Sequence, residues 1–176
     1  MNHKTMVDLR TVDLTAYPDL VVIYLGMRVR TFAGIKTLLG LGPQIDKAGT
    51  QRPEGLLHCE NNIIFKLYPL HLGMRWYWRD FESMERWTRS EPHARWWSDF
   101  LRHSGGTGFW HEVYLMRGKM EGVYCDMNKP PIGFQGFAPA LPARGAIFSA
   151  RQRLQMAGET PPQPKGYSDA ELVDRI

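Results

Sequence analysis

His111 stands in the run GFWHEVY, from Gly108 to Tyr114. The run alternates as a strand does, so the His111 ring shares a face with Phe109, Val113 and Leu115, and Trp110 and Glu112 turn to the opposite face. Imidazole is the side chain that exchanges protons near neutrality, and in an apolar pocket it can serve as a general base. The same company also suits a packed core histidine. His93 stands in SEPHARWW, three and four residues before Trp96 and Trp97. On a helix that spacing pairs an imidazole with an indole on one face. The alternative is a solvated histidine at a helix break beside Pro92, acting as a cap.

Further candidates cluster around these two. Arg28 ends a very apolar segment and can anchor a carboxylate or polarise an oxygen, or simply lie exposed at a strand end. Glu112 joins His111 and Arg28 as a candidate catalytic group. Glu112 and Tyr114 share one strand face, where they either hydrogen-bond a ligand or meet a partner subunit, since Tyr, Trp and Arg are enriched at interfaces. Tyr24, Trp78, Trp97, Trp110 and Tyr114 are candidate substrate contacts, and most of the six tryptophans are expected in the core. The sequence holds no G-x-S-x-G elbow, phosphate-cradling P-loop, H-E-x-x-H helix or G-x-G-x-x-G fingerprint. GGTG at 105–108 reads as a turn, so neither a flavin nor a nicotinamide site is indicated.

The elements that must position these groups follow from periodicity. Asp19 to Arg30 is rich in β-branched residues. Val21, Ile23, Leu25, Met27 and Val29 form one unbroken apolar face, and Val22, Tyr24, Gly26, Arg28 and Arg30 form a face that grows polar. A helix is expected from Phe32 to about Lys47, broken or kinked by Gly40, Gly42 and Pro43. Strands follow at Leu56–Leu67 and Gly73–Arg79. A long helix then runs from Phe81 to about His103, with Pro92 as its break. Two strands, Gly108–Met116 and Met120–Cys125, are joined by a tight turn at Arg117-Gly118. From Asn128 the chain reads as loop, and GETPPQPKG at 158–166 as an extended or flexible tail. The order β-α-β-β-α-β-β predicts an α+β ferredoxin-like sandwich with an antiparallel sheet. One sheet face is left uncovered, and a homodimer with sheets facing each other is the economical cover.

Composition excludes several classes. At 176 residues and 43% hydrophobic, the chain can bury a core and is not disordered as a whole. Its net charge of +4 comes from 22 basic residues interleaved with 18 acidic ones, without the dense basic run that neutralises a phosphate backbone, so no nucleic-acid partner is expected. The longest apolar stretch, Leu20–Met27, is too short to cross a membrane, and the N-terminal residues lack the apolar core of a signal peptide. Cys59 and Cys125 fit no metal or disulfide framework and are expected as reduced, mostly buried thiols. A cytoplasmic setting is the expectation.

Three runs carry a family resemblance: LVVIYLGMRV at 20–29, YWRDFESME at 77–85 and GFWHEVYLMRGKMEGVY at 108–124. In this order and spacing they closely resemble a family of small dimeric α/β-barrel proteins named after a fumagillin-cluster monooxygenase, many of whose bacterial members are known only as a domain of unknown function. The resemblance spans roughly residues 18–134, between an N-terminal arm at 1–17 and a C-terminal extension at 135–176. It implies a dimeric α/β barrel with a cavity between sheet and helices for a flat or apolar molecule. The wider superfamily includes cofactor-independent monooxygenases and haem proteins, among them haem-degrading oxygenases, chlorite dismutases and aldoxime dehydratases. The first expectation is thus a small oxygenase acting on an apolar or aromatic molecule, with His111 generating a substrate anion that meets dioxygen. The second adds haem with His93 or, as the alternative, His111 as its axial ligand, His93 first because haem-binding relatives commonly present that histidine from the second helix. The third is a non-catalytic carrier using the same cavity.

Overall fold

The computed structural model describes residues 7–118, 120–127, 129–156, 158 and 171. Apart from Gly158, the tail expected at 158–166 lies outside the described residues. The elements run β1 (Leu9–Val12), β2 (Val21–Val29), α1 (Phe32–Thr50), β3 (Leu56–Lys66), β4 (His71–Trp78), α2 (Phe81–Thr88), α3 (His93–Arg102), β5 (Thr107–Leu115), β6 (Val123–Cys125), β7 (Ala140–Pro142) and α4 (Ala150–Met156). No helix among the described residues is long and apolar enough to cross a membrane.

Two compact units result, one spanning Tyr17–Arg117 and the other built from residues up to Ala16 and from Gly118 onward. The first holds an antiparallel sheet in the order β3-β4-β2-β5, the ferredoxin-like arrangement expected for this α+β chain. β2 is central because both of its faces can be buried: Val21, Val22 and Met27 are all inside. Its register places Val21 opposite Trp78, Ile23 opposite Trp76 and Leu25 opposite both Met74 and His111. Directly paired residues share a face, so this side carries the apolar set. The core forms there, from Val21, Met74, Trp76 and Trp78 with Ala48 of α1, Leu56 of β3 and Met84 of α2.

Local chemistry sets the helix ends. The Asp80 carboxylate accepts the Ser83 backbone N–H at 2.7 Å and starts α2. The Ser83 hydroxyl, then Arg79, pulls the Asp80 carboxyl down to about 2. The expected break at Pro92 is present and divides α2 from α3. The break expected at Gly40, Gly42 and Pro43 is not: α1 runs uninterrupted for 19 residues with Pro43 inside. Pro43 is exposed and removes a single N–H from the ladder. Side chains added at Gly40 or Gly42 would meet nothing within 4 Å, so packing there does not oppose a straight helix.

The second unit corrects the reading of the C-terminal third. The strand expected at Met120–Cys125 is shorter, and it does not form a hairpin with β5. It pairs with β1, which lies between β6 and β7 in a three-stranded antiparallel sheet. The Thr11 hydroxyl donates to the Gly122 carbonyl at 2.7 Å, and Asp13 N–H to the Pro139 carbonyl at 2.9 Å. Arg153 of α4 is buried and neutralised, donating to Glu121 at 2.7 Å and to the Ile147 and Phe148 carbonyls. Both cysteines are free thiols; Cys59 is half-buried, but Cys125 is exposed, because its strand supplies only an edge of this small sheet.

Candidate functional site

The helix-covered face of the larger sheet carries the cavities. A cleft of about 660 Å³ opens between α1 and α3, floored by Met27, Leu41, Trp96 and Phe100. Two smaller recesses, about 90 Å³ and about 70 Å³, adjoin it beneath α1. Met27 and Leu41 line all three, so two flexible side chains separate adjoining spaces.

His93 lines the first of the small recesses, among Trp87, Trp96, Trp97 and Phe100. Its Nδ1 lies 2.8 Å from the Thr88 carbonyl. A carbonyl only accepts, so the proton sits on Nδ1 and Nε2 keeps its lone pair. The break between α2 and α3 creates this bond, bringing the last carbonyl of α2 onto the first residue of α3. The rings of Trp87 and Trp96 lie 4.9 and 6.5 Å away, centroid to centroid. Burial pushes the His93 pKa down; the Thr88 bond opposes this, and the nearby His111 reinforces it. Burial thus favours the neutral ring, whose Nε2 is a nitrogen donor in an apolar, indole-walled space. That donor set fits a haem iron, with the tautomer fixed by a backbone partner. No cluster of three or more metal-ligating side chains occurs among the described residues.

His111 lies on the same side of the sheet. It pairs across to Leu25 and packs edge-on to Phe109 at 5.8 Å. His111 is exposed and lines none of the three cavities; it touches the small recess only through Phe109, which lines it. Trp78 and Trp97 are also on this side, Trp78 buried and Trp97 41% exposed.

The other expected site residues stand on the opposite face. Arg28, Tyr24, Trp110, Glu112 and Tyr114 alternate with the helix-facing positions of β2 and β5. One cavity cannot be lined by both sets, so the sheet divides the sequence-derived constellation in two. This face, open at Arg28, Glu112 and Tyr114 but buried at Val22 and Tyr77, has its own network. Tyr114 donates its hydroxyl to Glu112, and the Tyr24 and Tyr114 rings meet edge to face at 6.0 Å. Arg75 donates to Glu60 at 2.5 Å and to the Tyr24 hydroxyl at 2.6 Å, and lies over the Tyr24 and Tyr77 rings. Burial opposes the Arg75 charge, but Glu60 and Tyr24 outweigh it and hold the guanidinium above its ordinary pKa. Sequence reading did not single out Arg75, Glu60 or His71, whose partners come from other strands.

Comparison with known proteins agrees with the fold. Aliphatic aldoxime dehydratases of Rhodococcus erythropolis and Rhodococcus globerulus are 32% and 31% identical over 116 residues, covering 62% of this chain and 33% of each relative. The chain thus spans about a third of the length of these curated relatives. A crystal structure of an aldoxime dehydratase with butyraldoxime superposes with a TM-score of 0.65 at 25% identity, over 86% of this chain and 44% of that one. The model of the monooxygenase af470-like family matches residues 20–134, from the start of β2 through β5 and β6, and the chain belongs to that family.

Proposed function

We propose that the helix-covered side of the larger sheet binds haem through His93 Nε2, and that the chain supplies the catalytic unit of an aldoxime-dehydratase-like enzyme acting on a small apolar aldoxime. The observation that carries this reading is the His93–Thr88 bond, which leaves one ring nitrogen with a lone pair in an indole-walled recess. The aldoxime dehydratase relatives support the substrate class, and the family resemblance supports the cofactor.

The reaction is a net loss of water: R–CH=N–OH becomes R–C≡N and H₂O, with no external oxidant or reductant. Haem, when bound, supplies an iron centre that activates the oxime. The protein's part is binding, dryness and protons. His93 holds the group, and Trp87, Trp96, Trp97 and Phe100 exclude water, which strengthens every polar interaction left inside. His111 donates a proton to the departing hydroxyl and, once neutral, accepts the proton leaving carbon. Both protons end in the released water and the recharged imidazole.

The family model supports a second reading, a monooxygenase-like enzyme, and the superfamily resemblance is compatible with one that uses no cofactor. There His111 would deprotonate a phenolic substrate, and the substrate anion would itself reduce dioxygen.

On either reading, the open face, with Arg28, Tyr24, Trp110, Glu112 and Tyr114, serves as the surface on which a second copy pairs, giving a homodimer. Its composition of tyrosine, tryptophan and arginine supports this.

Hemin titration tests the leading reading. A saturable Soret band is expected in the wild type and in His111→Ala and is lost in His93→Ala; dehydration of butyraldoxime is expected to fail in both variants. A wild type without a Soret band overturns the haem reading and leaves oxygen uptake with phenolic substrates as the test of the second.

A further inference from the structure

We propose that Lys47 on α1 and Arg95 on α3 clamp the carboxylates of the ligand at the mouth of the 660 Å³ cleft, so that the site selects a flat apolar molecule with anionic groups along one edge. The inference rests on the haem reading and adds which end of the ligand faces out and which residues hold it.

The cleft is chemically one-ended. Its inner lining is Met27, Leu41, Ala48, Trp96 and Phe100, all apolar apart from one indole N–H. That N–H is already satisfied, donating to the Gln44 carbonyl oxygen at 3.2 Å and tying the two walls together. On α1, Gln44, Lys47 and Gln51 follow at helical spacings of three and four and present a strip of donors on the cleft side. Arg95 faces the cleft from the other wall.

The charges resolve in favour of an anion. Four groups of fixed charge line the cleft: Lys47, Arg95, Glu91 and Asp99. Each acid has an ion-pair partner close in the chain, Glu91 in Arg95 at 2.8 Å and Asp99 in Arg102 at 3.2 Å, so neither engages Lys47. Lys47 has no ion-pair partner among the described residues, and its position in the last turn of α1 accounts for a cation there but not for its place on the cleft wall. The Arg95–Glu91 pair is exposed on both sides and holds its geometry weakly, so the five-donor Arg95 guanidinium can donate to an entering carboxylate while staying beside Glu91. A haem has this shape and charge: an apolar macrocycle with two carboxylates on one edge. His93 lines the adjoining recess, which shares Met27, Leu41, Trp96 and Phe100 with the cleft; a macrocycle held from His93 and reaching past these shared side chains would set its carboxylates at the polar rim.

The test titrates hemin and hemin dimethyl ester, which lacks both charges, into the wild type, Lys47→Glu, Arg95→Glu and Lys47→Arg, following the Soret band and tryptophan quenching. Both positions are exposed, and far-UV circular dichroism checks each fold. Lys47→Glu is expected to weaken hemin about tenfold or more, the scale of one charge-assisted contact, with Arg95→Glu in the same direction. Lys47→Arg is expected to stay near wild type. The dimethyl ester is expected to bind all four proteins alike, and the Soret maximum to stay fixed because the histidine ligand is untouched. Equal hemin affinity in wild type and Lys47→Glu overturns the clamp while leaving the haem reading intact. Absence of a saturable band in the wild type overturns both.

Discussion

Trp110 donates its indole N–H to His71 Nε2 at 2.8 Å, although the two residues lie on β5 and β4, strands that never pair. Both flank β2, and the bond passes over Gly26, which lies opposite Trp110 in one register and Gly73 in the other. A Cβ at Gly26 would sit 2.7 Å from Trp110 Nε1 and 2.8 Å from His71 Nε2. Here the missing side chain lets two rings close across a strand. At Gly73 the obstacle is the Phe65 ring and the Leu25 carbonyl.

Gly26→Ala is therefore expected to destabilise the fold by about 1–3 kcal/mol through overpacking. Urea midpoints measure it. Combining Gly26→Ala with Trp110→Ala removes one of the two obstacles and frees His71 to move, so the alanine should cost less in that background. A full, additive cost in the double variant would show that the strain lies elsewhere.

Stability should fall as the solution is acidified through the histidine range. Burial, then Arg28, depresses the His71 pKa, and burial chiefly depresses that of His93. A depressed histidine takes up its proton more readily in the unfolded chain, which binds it from about pH 6.5 downward. Their contribution is complete above that pH and is lost as pH drops toward the lower folded values. The mechanism at His71 is concrete, since a proton on Nε2 would abolish its acceptance from Trp110. Urea midpoints at pH 7.5 and 5.5 should separate in the wild type and draw together in His71→Gln. Coincident wild-type midpoints would remove both histidines from the account.

Arg75 is the open face's most committed cation. Arg75→Met leaves the half-buried Glu60 carboxylate without its guanidinium, and a lost charge-assisted bond of this kind costs about 1.5–3 kcal/mol. Tyr24→Phe removes one bond to the same arginine and should cost about 1 kcal/mol or less. Thermal unfolding of the two variants orders them, and a Tyr24→Phe loss larger than the Arg75→Met loss would invert the hierarchy of the network.

What was legible in the sequence follows the range of the forces involved. The alternation in β2 and β5 is a local signal, so both strands and the opposite facing of His111 and Glu112 were readable. Pro92 likewise marked the boundary between α2 and α3. Three things were not readable, two because the partners are distant and one because the partner is a backbone atom. β6 took its edge from β1, more than a hundred residues away in the chain. Arg75 was an ordinary strand arginine until Glu60 and Tyr24 came beside it. Thr88 holds His93 through a backbone carbonyl, which no side-chain pattern reveals. Arg28 and Glu112 were grouped with His111 for their chemistry, as a polar strand end and a neighbouring carboxylate, whereas the pleat places both on the face opposite His111.

That pleat supplies the sharpest test of the site. His111 and Glu112 are neighbours in β5, yet His111 touches the helix-side recess through Phe109 and Glu112 bonds Tyr114 on the open face. Glu112→Gln and Arg28→Ala should leave hemin affinity and the Soret spectrum at wild-type values, because neither side chain reaches the recess. His111→Ala should retain hemin but shift its spectrum and its pH dependence, since a charge on His111 acts on His93. If the open face is the surface for a second copy, Arg28→Ala should instead loosen the dimer, read by light scattering at falling protein concentration. A Glu112→Gln variant with wild-type association but altered haem spectra would place the site on the other side of the sheet and overturn the division.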